Sequence, residues 1–242
     1  MRTVFIGLCC LIVTGATAQT KVSKTYPVKP GQKIQLDFDY PKVIRISTWD
    51  KNVISIEALV DINQGDNDTA FVIYNSIEGD KLSIRNEIKN MKNLPRIYTV
   101  TQGGQKTVFR SKEDYRAFIA QTGNQSGRST SEGVDMQITM DIKVPANTQM
   151  NVNARYGIVE LVNFRGPANI NAIYGGIDVT IEPSSIGKLN VITRYGEIYT
   201  NLDLKLTAVE EKSFFSSITA EPGKGPAYIL NSSYGNLYLR KQ

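Results

Sequence analysis

The dipeptide Tyr-Gly recurs through the second half of the chain, at Tyr156-Gly157, Tyr174-Gly175, Tyr195-Gly196 and Tyr234-Gly235, with gaps of 18, 21 and 39 residues. The widest gap divides near its middle if Phe215-Ser216 is a degenerate copy. Aligned on the aromatic residue, the five segments repeat the same apolar offsets. Val152, Ile170, Val191 and Leu230 stand four before it (Glu211 in the Phe215 copy), and Val159, Ile177, Ile198, Ile218 and Leu237 stand three after. Five after it come Leu161, Val179, Thr200, Ala220 and Leu239. Apolar and polar residues alternate around these positions, the period-two pattern of a half-buried strand. The glycine breaks the alternation by one residue, as a bend or bulge would. Turns follow at Arg165-Gly166-Pro167, Pro183-Ser184-Ser185 and Pro222-Gly223-Lys224-Gly225-Pro226.

A strand-bend-strand-turn unit of this size cannot bury its own apolar face, so neighbouring copies must stack. The expectation is an all-β, single-domain β-solenoid with rungs of about twenty residues, spaced ~4.8 Å apart. Stacking would bring the aromatic residues into an internal ladder, read as core and not as a platform for sugars. Asn151, Asn169 and Asn190, and separately Asn153 and Asn171, would form outward ladders of side-chain amides.

Residues 1–18 read as an address. Arg2 precedes an apolar run from Thr3 to Ala16, and Ala16-Thr17-Ala18 is an A-x-A cleavage site. The run is too short for a membrane span, which needs ~20 apolar residues. Cleavage after Ala18 leaves 224 of the 242 residues and removes Cys9 and Cys10, the only cysteines. The protein is expected in the periplasm or on the surface of a Gram-negative bacterium, and not integral to a membrane. Without disulfides, it must hold together by packing and backbone pairing. The chain has no histidine, which excludes a Ser-His-Asp triad, a Cys-His dyad and an imidazole metal site. No metal or cofactor is expected.

The N-terminal half shows similar but less regular runs, such as Lys33 to Tyr40. Tyr40-Pro41-Lys42-Val43 resembles the repeat with proline in place of glycine and is expected to open the first rung, with Trp49-Asp50-Lys51-Asn52 as the following turn. Asp61 to Asp68 (DINQGDND) has the composition of a calcium loop, but its twelfth position is Val72 instead of Glu, so a polar hairpin turn is expected. Residues 90–133 break the pattern and read as an irregular, partly helical insertion. Ser111 with Asp114 caps a short helix carrying Tyr115, Phe118 and Ile119 on one face, and 122–133 reads as flexible. Lys89, Lys92, Arg96, Lys106, Arg110 and Lys112, with Tyr98 and Phe109 interleaved, form a basic aromatic stretch without an acid. That combination could grip an anionic glycan or surface, and it is the candidate ligand site.

Met140 to Asn147 (MDIKVPAN) leads into Val152 to Val159 (VNARYGIV) and the later Tyr-Gly copies, with Trp49-Asp50-Lys51-Asn52 upstream. This pattern resembles the bacterial adhesin-candidate family known as the toast-rack domain of unknown function. The resemblance implies an exported right-handed β-solenoid with a role in adhesion or envelope binding, and carries over no catalytic residues. The expected function is therefore a non-enzymatic adhesin or envelope-binding protein holding a glycan or a cell-surface component. A periplasmic structural or sensing partner is the alternative, with a homodimer through exposed solenoid edges. A third reading is a polysaccharide-cleaving enzyme using Glu160 and Asp178, which adjacent rungs would bring ~5 Å apart. Nucleic acid is not an expected partner: the protein reads as exported, and removing Arg2 lowers the net charge from +5 to only +4.

Overall fold

A computed structural model describes residues 19–123 and 125–242; the expected signal peptide lies outside the described residues. The strands in chain order are β1 (Thr20–Pro27), β2 (Lys33–Phe38), β3 (Val43–Trp49), β4 (Val53–Ile62), β5 (Phe71–Glu78) and β6 (Lys81–Ile88). Next come β7 (Ile97–Gln102), β8 (Gln105–Phe109), helix α1 (Lys112–Thr122), β9 (Ser129–Gly133) and β10 (Met136–Pro145). The repeat half holds β11 (Met150–Ala154), β12 (Ile158–Val162), β13 (Ala168–Ala172), β14 (Ile177–Ile181), β15 (Lys188–Thr193) and β16 (Ile198–Thr200). It ends with β17 (Leu206–Lys212), β18 (Phe215–Ala220), β19 (Ala227–Ser232) and β20 (Leu237–Lys241). The fold is all-β with mixed sheets, and no sheet closes into a barrel.

Two large sheets face one another. One runs β1-β4-β10-β3-β12-β14-β20-β16, the other β17-β18-β15-β19-β13-β11-β2-β6-β5. Each Tyr-Gly copy contributes one strand to each sheet, and the copies pair in parallel and in register: Val152 lies beside Leu36 and Ile170, and Leu161 beside Ile46 and Val179. A single cluster of buried apolar side chains fills the space between the sheets, including Ile34, Leu36, Ile46, Val152, Leu161, Ile170, Val179 and Leu230. Period-two alternation on both sheets produces this layer, since each strand turns every second side chain inward.

The copies do not stack in chain order. Strand β19 lies between β13 and β15, and β20 between β14 and β16, so the Tyr234 copy separates the Tyr174 copy from the Tyr195 copy. All copies present the same inward and outward pattern, so a shared motif cannot specify which one follows which. Phe215 is not a repeat copy. It begins β18, which runs antiparallel to both β15 and β17, and Ser213-Phe214 is the two-residue turn of that hairpin. Apolar spacing around Phe215 matched the repeat because any alternating strand supplies it.

Three further expectations change. Residues 97–133 are not irregular: β8-β7-β9 form a third, antiparallel sheet, on which α1 packs. Its helix begins where Ser111 predicts it, with the Asp114 N–H donating to the Ser111 hydroxyl at 3.0 Å. The flexible reading of 122–133 fails at Ser129–Gly133, which pairs with β7. Asp61 to Asp68 is no hairpin turn, because β4 and β5 belong to different sheets. It is a crossover in which the buried Asp68 carboxylate accepts from the Ile62 N–H at 2.6 Å.

Glycine follows each tyrosine because the backbones meet there. A Cβ on Gly175 would fall on the carbonyl of Gly157, and one on Gly235 on the carbonyl of Gly175. Gly175→Ala is expected to lower stability by ~3 kcal/mol or more, since backbone, not a flexible side chain, must move. Gly133→Ala, with nothing within 4 Å, should stay within ~0.5 kcal/mol. Denaturant midpoints of the two variants check this.

Tyr228 is the largest fully buried side chain, and its hydroxyl donates to the Phe164 carbonyl at 2.7 Å. Burial pushes its phenol pKa up from the ordinary value near 10. The folded state thus holds the proton while the unfolded chain releases it. The stability this gives is complete below pH ~10 and is lost as pH climbs above it. Unfolding midpoints of Tyr228→Phe should fall less steeply between pH ~9 and ~12 than those of the unaltered chain, at a cost of ~1 kcal/mol at neutral pH.

Candidate functional site

Three cations of the basic stretch predicted as the ligand site are paired with acids by the fold. Arg96 pairs with Glu132 at 3.3 Å, Lys106 with Asp135 at 2.5 Å and Arg110 with Asp66 at 2.9 Å. These acids lie outside the stretch in sequence, so inspecting it alone overstated its charge. Burial pushes the Asp135 carboxyl up, but bonds from Lys106 and Gln137 outweigh this and hold it below its ordinary range. Tyr98 stacks on Tyr115 at 5.3 Å, and Phe109 packs against Tyr115 and Phe118. The aromatic residues are therefore spent on docking α1 to its sheet. Lys89, Lys92 and Lys112 are exposed and make no ion pair among the described residues.

Glu160 and Asp178 do lie side by side on β12 and β14. Each is held by its own arginine. Arg45 spans Asp141 at 3.0 Å and Glu160 at 2.9 Å, and Arg240 donates to both oxygens of Asp178 at 2.8 and 2.9 Å. Hydrogen bonding to these carboxylates raises the pKa of both arginines, Arg45 chiefly through Asp141 and Arg240 through Asp178. Both carboxylates thus lie on the outward sheet face, each bonded to a guanidinium group.

The repeat tyrosines occupy a place the sequence did not indicate. They form a ladder on the outside of the bend. Ring centroids are separated by 5.7 Å for Tyr40–Tyr156, 5.4 Å for Tyr156–Tyr174, 5.2 Å for Tyr174–Tyr234 and 4.9 Å for Tyr234–Tyr195. Phe214, not Phe215, extends the row at 5.4 Å from Tyr195. The rings from Tyr156 onward are 41–71% exposed, which overturns the expected internal ladder. The corner beneath them is too narrow for a phenol. It is filled by Ala154, Ala172, Thr193 and Ser232, all buried. Here Thr193 donates to the Gly235 carbonyl and Ser232 to the Gly175 carbonyl, each at 3.0 Å. With backbone pressed against backbone at the glycines, the preceding tyrosine has only the outside to occupy.

Backbone pairing continues through the bend and fixes the row. The N–H of Tyr174 donates to the Arg155 carbonyl, that of Tyr234 to Ile173 and that of Tyr195 to Ser233, at 2.8–3.0 Å. A second row lies alongside: Asn153 donates to Asp37 at 2.7 Å, Asn171 to Asn153 at 3.1 Å and Asn231 to Asn171 at 3.0 Å. Asn151, Asn169 and Asn190 form no corresponding row. Asn190 donates instead to Thr219, because Ile229 stands between Asn169 and Asn190.

No protein-family model matches the chain, and no curated protein does. Among solved structures, it is similar to a candidate cell adhesion protein from Clostridium sporogenes ATCC 15579, at 10% identity over 92% of this chain and 100% of that one, with a TM-score of 0.47. It is also similar to a candidate adhesin from Bacteroides fragilis NCTC 9343, at 12% identity over 93% and 99% of the two chains, with a TM-score of 0.24. The adhesive role named there is said of those proteins.

Tyr174 stacks between two rings, so Tyr174→Ala is expected to cost about 1–3 kcal/mol, at roughly 0.5–1.5 kcal/mol for each aromatic pair. Tyr174→Phe keeps both stacks and should stay within ~0.5 kcal/mol. Chemical denaturation of the two variants separates stacking from the hydroxyl.

Proposed function

We propose that this chain is a non-enzymatic binding protein of the bacterial envelope, an adhesin-type β-solenoid that holds a surface ligand along its tyrosine ladder. The exposed ladder is the observation that carries this reading. Monomeric proteins seldom leave a contiguous row of large aromatic side chains in water unless it meets something. Stacked parallel strands hold the row rigid, so a ligand binding there has little protein motion to arrest. Export, read from residues 1–18, would deliver this face to the periplasm or the cell surface. The arginine-clamped pair Glu160 and Asp178 supports a surface that binds over one that hydrolyses.

The reading moves the ligand from the 89–133 region to the bend, and one excision tests that move. Asn63 donates to the Pro95 carbonyl at 2.8 Å and accepts from the Asp135 N–H at 3.0 Å, so both ends of the inserted sheet meet at one side chain. Replacing residues 96–134 with a short Gly-Ser linker should leave β-sheet circular dichroism and attachment to isolated cell envelopes unchanged. Replacing Tyr156, Tyr174 and Tyr234 together by serine should abolish attachment. Attachment lost on excision and kept without the tyrosines would return the site to the basic stretch.

A further inference from the structure

Stacked rings cover one another's faces, so the ladder cannot receive sugars or bases on ring faces except at its two ends. It offers ring edges and a line of phenol hydroxyls. Those of Tyr156, Tyr174, Tyr195 and Tyr234 make no hydrogen bond to the described residues, whereas the hydroxyls of Tyr199 and Tyr228 are taken by Glu197 and Phe164. Each free hydroxyl is both a donor and an acceptor. The spacing of the line, 4.9–5.7 Å per step, selects among polymers that could lie along it. An extended peptide presents a side chain to one face every ~6.7 Å and would drift more than a full step out of register along the ladder. A single nucleic-acid strand binds by stacking its bases on open aromatic faces, which are occupied here.

Charge narrows the choice again. The residues preceding the rings are Asp39, Arg155, Ile173, Ser233 and Arg194, and Arg155 pairs with Asp39 at 3.4 Å. Within this set Arg194 is the one charged residue without an ion pair among the described residues. Next to the residues that precede Tyr40, Tyr156 and Tyr174 lies a shallow groove of about 340 Å³ lined by Asn153, Asn171 and Ile173. There Arg85 and Arg155 are balanced by Asp37 and Asp39, so it offers no net charge to a polyanion. The amide row matches the phenol row in three layers, Asn153 with Tyr156, Asn171 with Tyr174 and Asn231 with Tyr234, because both follow the same parallel pairing. Asp37 and Ile192 take its place in the Tyr40 and Tyr195 layers.

From this geometry we propose that the ladder and the adjoining groove bind a linear, uncharged polysaccharide in an extended conformation, one sugar per layer. Equatorially linked pyranoses advance by about one such step and carry hydroxyls along both edges. Phenols would meet one edge and amides the other. The inference rests on the binding role proposed above and names its ligand class. Each contact is weak, and affinity accumulates with the number of layers engaged.

The test is calorimetric titration of the full described chain with β-1,4-linked glucose and N-acetylglucosamine oligosaccharides, from disaccharide to hexasaccharide. Affinity should rise with each added sugar, by tenfold or more across the series. A Tyr156→Phe, Tyr174→Phe, Tyr195→Phe and Tyr234→Phe variant keeps the stack and should lose roughly tenfold or more for the hexasaccharide, with an unchanged thermal transition. Affinity independent of length, no binding by either series, or binding untouched in the phenylalanine variant would each overturn the inference. If the sugars fail while envelope attachment still disappears with the serine substitutions, the polysaccharide is wrong and the binding role stands. If attachment also survives those substitutions, both fall.

Discussion

At every bend of the repeat, one backbone rests directly on the next, glycine against glycine except at Gly157, which rests on Pro41 and Lys42. Parallel in-register pairing requires this approach, because strands separated by one hydrogen bond leave no room for a Cβ where the chain turns between the sheets. Much else follows from it. The carbonyls brought together at the corner are bonded by the buried hydroxyls of Thr193 and Ser232. The residue before each glycine is driven outward, and successive layers then set the tyrosines above one another at stacking distance. The ladder is in this sense a by-product of backbone contact, and its regularity is the regularity of the hydrogen bonds beneath it.

Long-range charge has a smaller part. The outward face of the first large sheet carries Asp141, Arg45 and Glu160 on three neighbouring strands, joined through Arg45. Arg45 and Asp141 are about half exposed and Glu160 is 30% exposed, and surface pairs of that kind are worth ~1 kcal/mol or less. They match neighbouring layers across the sheet and do not hold it together. Apolar layers such as Leu36, Val152, Ile170, Leu230 and Val191, all fully buried, supply the cohesion.

How much of this was legible in the sequence varies with the range of the information. The offsets around each tyrosine placed the paired strands and their inward residues, because alternation is local. Ser111 and Asp114 marked the start of α1 for the same reason. Ring exposure was not legible, since period two continued through Tyr156 points it inward and only the crowded corner beneath reverses it. The pairing of the basic stretch was not legible, because its counter-charges, Asp66 and Asp135, come from elsewhere in the chain. Phe215 reads as a repeat because one alternating strand resembles another; that the neighbouring Phe214 joins the ladder depends on a two-residue hairpin turn that no periodicity marks.

The place of the Tyr234 copy has a further consequence, for the order in which the protein can form. Chains are made from the N-terminus, yet residues 227–241 fill the position between layers made well before them. Strand β15 can pair with β18 of the hairpin that follows it, but β16 pairs only with β20. The unit β15-β17-β18 therefore joins the parallel layers only when β19 has formed between β13 and β15. A chain built in this way completes its two large sheets only once residues 227–241 have been made. Its late strands are the ones exposed to mispairing, and to whatever escorts them, in the interval.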